Sequence, residues 1–243
     1  MLACRTSNLQ LLEGMLALKA DTQLKDFQGL TALHMAAAYA NPNFIRKLLQ
    51  INEPQQEPPS FWSWCFGHQP VPKGANVDLR SENGRTPLML ACMKNKVENV
   101  KLLLDLKADP SMTDMFGETP LIQASAKGNL EVVQLLLSVG SKLNHTNFHS
   151  CSALWLAAQN GHCAVVQLLI THKADANQKG KNQATPLIIA VQNARMEVVK
   201  LLLEQNADLK LRTKSGLTAL DWAITKRLVL ISLQLHLKNA PCR

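Results

Sequence analysis

Five side chains with metal-ligating chemistry lie close together along this chain: His145, His149, Cys151, His162 and Cys163. Imidazole nitrogens and thiolates are zinc donors, but closed zinc sites usually draw on recognisable ligand pairs. No C-x-x-C pair occurs here. No metal and no cofactor is expected. Catalytic chemistry is equally unsupported. The chain has no P-loop, no dinucleotide-binding glycine fingerprint, no H-E-x-x-H and no G-x-S-x-G. No acid, base and nucleophile fall at a motif spacing. The chain therefore reads as a non-enzyme. The chemistry left to it is binding, through charge and apolar surface placed at recurring positions.

The charge is unevenly placed. Residues 1–131 hold 13 basic and 13 acidic side chains, and residues 132–243 hold 13 basic and 5 acidic, so the formal net charge of +8 belongs to the C-terminal part. It acts as a local field there. No run of 18 apolar residues and no leader-like start is present, so no membrane association is expected. The six cysteines, Cys4, Cys65, Cys92, Cys151, Cys163 and Cys242, are scattered. Free thiols used for packing are typical of a reducing compartment, which predicts an intracellular protein, cytoplasmic and/or nuclear.

These positions must be held by a repeating unit. One phrase occurs six times: Thr31-Ala32-Leu33-His34, Thr86-Pro87-Leu88-Met89, Thr119-Pro120-Leu121-Ile122, Ser152-Ala153-Leu154-Trp155, Thr185-Pro186-Leu187-Ile188 and Thr218-Ala219-Leu220-Asp221. From Thr86 the spacing is a constant 33, and the first gap is 55. A strict period of this size means one supersecondary unit stacked many times. In the unit from Asp114 to Thr146, Asp114-Met115-Phe116-Gly117 is a turn. Thr119 caps a helix with Pro120 at its first position. Gly128 ends that helix. Val132, Val133, Leu135, Leu136 and Leu137 then give a second helix a broad apolar stripe. Neither helix buries its apolar face within 33 residues, so neighbours must stack on both sides.

Turn, T-P-L, A-A, Gly, V-V-x-L-L-L and A-D recur in this order, with further matches at Val198-Val199-Lys200-Leu201-Leu202-Leu203 and at Ala108-Asp109, Ala174-Asp175 and Ala207-Asp208. The chain resembles the ankyrin-repeat family everywhere except residues 52–73. The resemblance implies an all-α repeat solenoid of stacked helix pairs with short hairpin-like finger loops. It also implies recognition of partners by the finger tips and the inner face of the first helices. Within it, His162 matches the Gly-His start of a second helix and His149 is a finger tip. Ser150 and Gln183 depart from the pattern, standing where the turn expects glycine. One domain over 1–243 is expected, divided into 1–25 (truncated), 26–80 (with the insertion), 81–113, 114–146, 147–179, 180–212 and a capping repeat 213–243.

Met1-Leu2-Ala3-Cys4 aligns with Met89-Leu90-Ala91-Cys92, so the chain starts inside a first helix. Met1 reads as an internal methionine of a shortened isoform, an incomplete gene model or a fragment, with a native degenerate cap as the alternative. At the other end, Ser232, Gln234 and His236 replace Val199, Leu201 and Leu203, which predicts a second helix out of its usual register. The insertion 52–73 carries five prolines and Phe61-Trp62-Ser63-Trp64-Cys65-Phe66. It reads as an irregular loop with Trp62 and Trp64 as candidate anchors for a partner. The alternatives are aromatics folded onto the loop's own scaffold and a segment without function.

Residues 33 apart stack side by side at the finger tips. One column reads Arg80, Thr113, Thr146, Lys179, Arg212, and another reads Glu82, Met115, Phe148, Lys181, Lys214. Phe27, Leu30, Tyr39, Met93, Met115, Phe116 and Phe148 are the apolar candidates for partner binding. Lys179, Lys181, Arg212, Lys214 and Lys226 are the basic ones. Like charges in adjacent fingers cost energy unless something acidic is recruited. The leading expectation is a monomeric scaffold or adaptor for another protein, with an acidic segment of that partner steered by the basic repeats. Nucleic-acid binding is the alternative, disfavoured because the basic fingers lack interleaved aromatics for base stacking. A third reading makes Asn144 and Asn177, at the finger entrance, substrates of a hydroxylating enzyme, by family analogy.

Overall fold

The computed structural model describes residues 1–49 and 76–239. The insertion 52–73, with Trp62 and Trp64, lies outside the described residues. Fourteen α-helices are found among them, with a single isolated antiparallel bridge between Thr146 and Ser152. The chain is an all-α repeat solenoid, and its packing divides into two compact units, Met1–Met115 and Phe116–Arg243.

In the first unit α1 (Leu2–Arg5), α3 (Ala32–Tyr39) and α5 (Pro87–Met93) form one row. The second row is α2 (Leu9–Ala17), α4 (Pro42–Leu48) and α6 (Val97–Asp105). In the second unit the inner row is α7 (Pro120–Lys127), α9 (Ala153–Asn160), α11 (Pro186–Gln192) and α13 (Ala219–Thr225). The outer row is α8 (Leu130–Ser138), α10 (Cys163–Thr171), α12 (Met196–Glu204) and α14 (Val229–Asn239).

The repeated phrase does what its chemistry dictates. Thr86, Thr119, Ser152, Thr185 and Thr218 accept the backbone N–H three residues on, at 3.2–3.3 Å. Such a cap satisfies a donor that the helix itself cannot. Ala36, Ala91, Ala124, Ala157, Ala190 and Ala223 occupy one repeat position and all have 0% exposure. With only a methyl at that point, adjacent inner helices pack closely. On the outer row Val132, Val133 and Leu136, then Val165, Val166 and Leu169, then Val198, Val199 and Leu202 form the buried stripe.

Ser150 and Gln183 close their turns as the glycines do. Gly29, Gly84, Gly117 and Gly216 have φ of +71° to +80°, and Ser150 and Gln183 adopt +62° and +58°. Their N–H groups donate to the first carbonyl of the turn at 2.8 and 2.9 Å. The last helix corrects the register expected from its polar residues. Ile231 and Leu235 are buried where Val198 and Leu202 stand one repeat earlier. Only the flanking positions have turned polar, so the core of the stack continues into α14.

Stability should fall towards residue 1. Helices α1 and α2 bury only Ala3, Cys4 and Leu12, while Leu2, Leu11, Met15 and Leu18 are exposed. Local opening is cheapest where few apolar contacts must break. Amides of residues 9–24 should therefore exchange faster than those of α3 and α5 by at least an order of magnitude. Equal protection across α2 and α3 would refute this.

Candidate functional site

The fingers are bound to one another by backbone hydrogen bonds. In the first unit Glu82 N–H donates to the Gln28 carbonyl at 3.1 Å, and Met115 N–H to that of Asn83 at 3.0 Å. In the second, Phe148 N–H donates to Phe116 at 3.0 Å and Lys214 N–H to Asn182 at 2.8 Å. At the finger bases, Asn144 Oδ1 accepts Asp175 N–H at 3.0 Å and Asn177 Oδ1 accepts Asp208 N–H at 2.9 Å. Both carboxamides thus clamp neighbouring repeats together.

The apolar candidates separate by position. In the first unit Phe27 (86% exposed) and Met115 (53%) project from fingers, while Leu30 and Met93 are half-buried. Tyr39 ends α3, away from the fingers, with the Lys94 ammonium 5.4 Å from its ring centroid. In the second unit Phe116 and Phe148 are exposed, and the Phe148 ring lies over Gly117, where a Cβ would approach within 2.8 Å.

The basic candidates Lys179, Lys181, Arg212 and Lys214 are all exposed on adjacent fingers of the second unit. Arg212 Nη1 donates to the Gly216 carbonyl at 2.7 Å, so part of its guanidinium is committed to its own finger. Lys226 is also exposed, but it caps the C-terminal end of α13, a helix length away from the finger tips.

His145, His162 and the buried cysteines serve the scaffold. His145 Nε2 meets the Gly117 carbonyl at 3.1 Å, and His162 Nε2 meets that of Ala126 at 3.1 Å. The His162 ring fills the space over Gly128. Cys4, Cys92 and Cys151 are buried, and burial pushes all three thiols up. His149 is exposed and Cys163 half-buried. Among the described residues no group of three or more His, Cys, Asp or Glu is arranged to hold a metal.

One residue pattern escapes a reading by motif. His34 is buried, its Nδ1 accepts Thr31 N–H at 3.2 Å, and its Nε2 donates to the Arg85 carbonyl at 3.0 Å. Only the neutral ring can do both. Burial accordingly lowers its pKa from the ordinary 6.5. The unfolded chain then binds the proton more readily, so stability is complete above about pH 6.5 and is lost as pH falls below it. Denaturant titrations at pH 7.5 and 5.5 should show this loss. In His34→Gln, which keeps the cap geometry, the loss should shrink. An unchanged pH slope would mean another group carries it.

Trp155 holds the same repeat position as His34, and its Nε1 donates to the Ala184 carbonyl at 2.9 Å. Each ring therefore ties one repeat to the carbonyl just before the next repeat's capping residue. Against this geometry, residues 68–147 and 154–235 match the family model for ankyrin repeats in three copies, and residues 28–54 match the single ankyrin repeat. The chain belongs to the ankyrin-repeat family. Ankyrin repeats are generally non-catalytic modules of protein–protein interaction. Residues 55–67, inside the insertion, fall in neither ankyrin match.

Two curated ankyrin relatives are similar over part of their length. The mouse protein "Ankyrin repeat domain-containing protein 63" is 38% identical over 91 residues, 36% of this chain and 18% of that protein. The rice "Probable E3 ubiquitin-protein ligase XBOS32" is 28% identical over 120 residues, 44% of this chain and 24% of that protein. The matches thus span less than a quarter of either relative. Among the described residues no helix is long and apolar enough to cross a membrane.

Proposed function

We propose that this ankyrin-repeat chain is a non-catalytic, monomeric scaffold or adaptor that binds another protein, and that the fingers of its second unit recruit an acidic segment of that partner. The observation that carries this is the exposed group Lys179, Lys181, Arg212 and Lys214 on adjacent fingers. No ion pair involves them among the described residues. The carboxylates at the finger bases are held by their own loops: Asp175 accepts Asn177 N–H and Asp208 accepts Lys210 N–H, both at 2.8 Å. The second unit carries 14 basic and 7 acidic side chains, so the local field favours an anionic partner. The exposed apolar tips Phe116 and Phe148 of the same unit supply contact area, and Phe27 and Met115 are exposed on the fingers of the first unit. The buried cysteines Cys4 and Cys151, neither of them in a disulfide, accord with an intracellular location, in cytoplasm or nucleus.

The test is anisotropy of a labelled, end-blocked peptide rich in glutamate. Wild-type binding should weaken as salt rises, because exposed charges are screened over roughly 10 Å. Lys181→Glu with Lys214→Glu should weaken it by roughly tenfold or more, mostly through association rate. Stability should stay within about 0.5 kcal/mol, since both side chains are on exposed turns. Binding indifferent to salt and to both reversals would sink the proposal. A random DNA duplex bound more tightly than the peptide would favour the nucleic-acid reading instead.

A further inference from the structure

The second unit contains a cleft of about 560 Å³ lined by Asn182, Gln192, Thr213, Lys214, Ser215 and Trp222. Three elements build it: the turn Lys181–Gln183, the C-terminal end of α11, and the last finger facing α13. The hydrogen bond from Lys214 N–H to the Asn182 carbonyl fixes two of its walls. The lining holds amides and hydroxyls, an indole and a single charged side chain, that of Lys214. Trp222 Nε1 is shielded from solvent and has no hydrogen-bond partner among the described residues. A buried donor left unpaired costs stability, because it has lost water and gained nothing. Trp155 shows the contrast, with its Nε1 seated on a backbone carbonyl.

The other groups agree. Lys214 brings an ammonium with no ion pair among the described residues. Asn182 and Gln192 bring amides, and the Thr213 and Ser215 hydroxyls are bonded to each other at 2.8 Å. Among the described residues no carboxylate lines the cleft. The nearby Asp221 is held by the Thr218 N–H and hydroxyl at 2.8 and 2.7 Å, in the cap of α13. One ammonium among amides, hydroxyls and an indole N–H is matched in charge by a monoanion that only accepts hydrogen bonds.

We propose that this cleft seats the side-chain carboxylate of a glutamate or aspartate from a partner protein, with the Lys214 ammonium and, once the groups that shield it move aside, Trp222 Nε1–H as its donors. This rests on the reading of the basic fingers as the site for an acidic segment, and it adds the anchoring point. The fingers attract the segment at a distance, and the cleft fixes one residue of it.

The test uses the full chain, ¹⁵N-labelled, and the end-blocked glutamate peptide. The Trp222 indole N–H resonance is assigned with Trp222→Phe. It should move downfield and saturate with the peptide, and should not move with the Glu→Gln peptide. Trp222→Phe should weaken binding about tenfold, as loss of a donor to a charged acceptor does. It should not lower the unfolding midpoint, because it removes a donor that the free protein leaves unpaired. Gln192→Met, which keeps the side chain's length, should weaken binding by a few fold and serves if Trp222→Phe fails to fold. Should Trp222→Phe and Gln192→Met bind like wild type while the Lys181/Lys214 reversal does not, the cleft proposal falls and the finger reading stands. If the reversal is also silent, both fall. A lowered midpoint in Trp222→Phe with a silent indole resonance would make Trp222 structural and overturn the proposal. So would a neutral peptide with a free C-terminus, or a phosphoserine peptide, binding more tightly than the glutamate peptide.

Discussion

Gly180→Ala should destabilise the second unit by about 3 kcal/mol, the sum of a clash in a close-packed site and a strained or lost buried hydrogen bond. A Cβ at this position would lie 2.5 Å from Cδ1 and Nε1 of Trp155 and 3.0 Å from Cε2. The indole cannot step aside, since it is only 3% exposed and is fixed by its bond to the Ala184 carbonyl. The effect does not come from backbone freedom, because Gly180 has φ of −103°, which any residue adopts. The cost is purely one of space. In thermal unfolding the midpoint should drop by roughly 5–10 °C. The causal claim is tested by a double-mutant cycle. Trp155→His places at this site the ring that His34 uses in the same role. In that background Gly180→Ala should cost less than about 1 kcal/mol, because the smaller ring leaves room for the methyl, and the difference measures the coupling. Equal costs in both backgrounds would mean that Gly180 serves something other than the indole.

This pair shows what a sequence reading reaches and where it stops. Helix starts were legible because Thr, Pro and Leu each act locally, within one turn of the backbone. Turn positions were legible for the same reason, and Ser150 and Gln183 follow the glycines because the surrounding repeat imposes the left-handed conformation on them. Gly180 was not. At its repeat position the other turns have Asp26, Ser81, Asp114, Asn147 and Thr213. Of these, Asp26, Ser81, Asn147 and Thr213 accept backbone N–H groups of their own turns. A glycine there gives up that bond, and the reason stands 25 residues upstream at Trp155. Both departures are visible in the chain, but linking them requires knowing which ring packs on which turn.

The surface was legible to a similar degree. Spacing identified Lys179, Lys181, Arg212 and Lys214 as neighbours because finger tips repeat with the period. Tyr39 and Lys226, read as part of the same variable surface, lie at the C-terminal ends of the first helices α3 and α13. Exposure of a side chain does not state which end of a helix carries it. The unpartnered indole of Trp222 had no signature at all, since satisfaction of a donor depends on atoms from other repeats.

Asn99→Asp should cost the first unit about 4 kcal/mol at pH 7, because it turns a buried donor into a buried anion without a partner. Asn99 stands in α6 where later repeats have Val132, Val165 and Val198, so a polar group interrupts the apolar stripe. It is 2% exposed. Its Nδ2 lies 3.3, 3.0 and 2.9 Å from the carbonyls of Ala36, Ala37 and Ala40. The Ala36 carbonyl already accepts Ala40 N–H at 3.0 Å, but those of Ala37 and Ala40 lie at the C-terminal end of α3, where helical geometry leaves acceptors without donors. Helix α3 ends without a glycine, its last residue being followed by Ala40 in an extended conformation. Asn99 therefore supplies from the next repeat the cap that α3 lacks. The aspartate has the same shape and differs only in facing those carbonyls with a negative oxygen. Burial and the carbonyl dipoles both disfavour ionisation, so its folded-state pKa must rise above the ordinary value near 3.9. A group raised in this way regains stability as pH falls, since the protonated acid can donate where Nδ2 did. The gap between Asn99→Asp and wild type, measured by denaturant unfolding, should therefore narrow steadily below about pH 6. Asn99→Val, which restores the apolar stripe but leaves the carbonyls uncapped, should cost about 1–2 kcal/mol with no such narrowing. An Asn99→Asp deficit that is small, or that stays constant from pH 7 to pH 5, would show that the carbonyls of α3 find other donors.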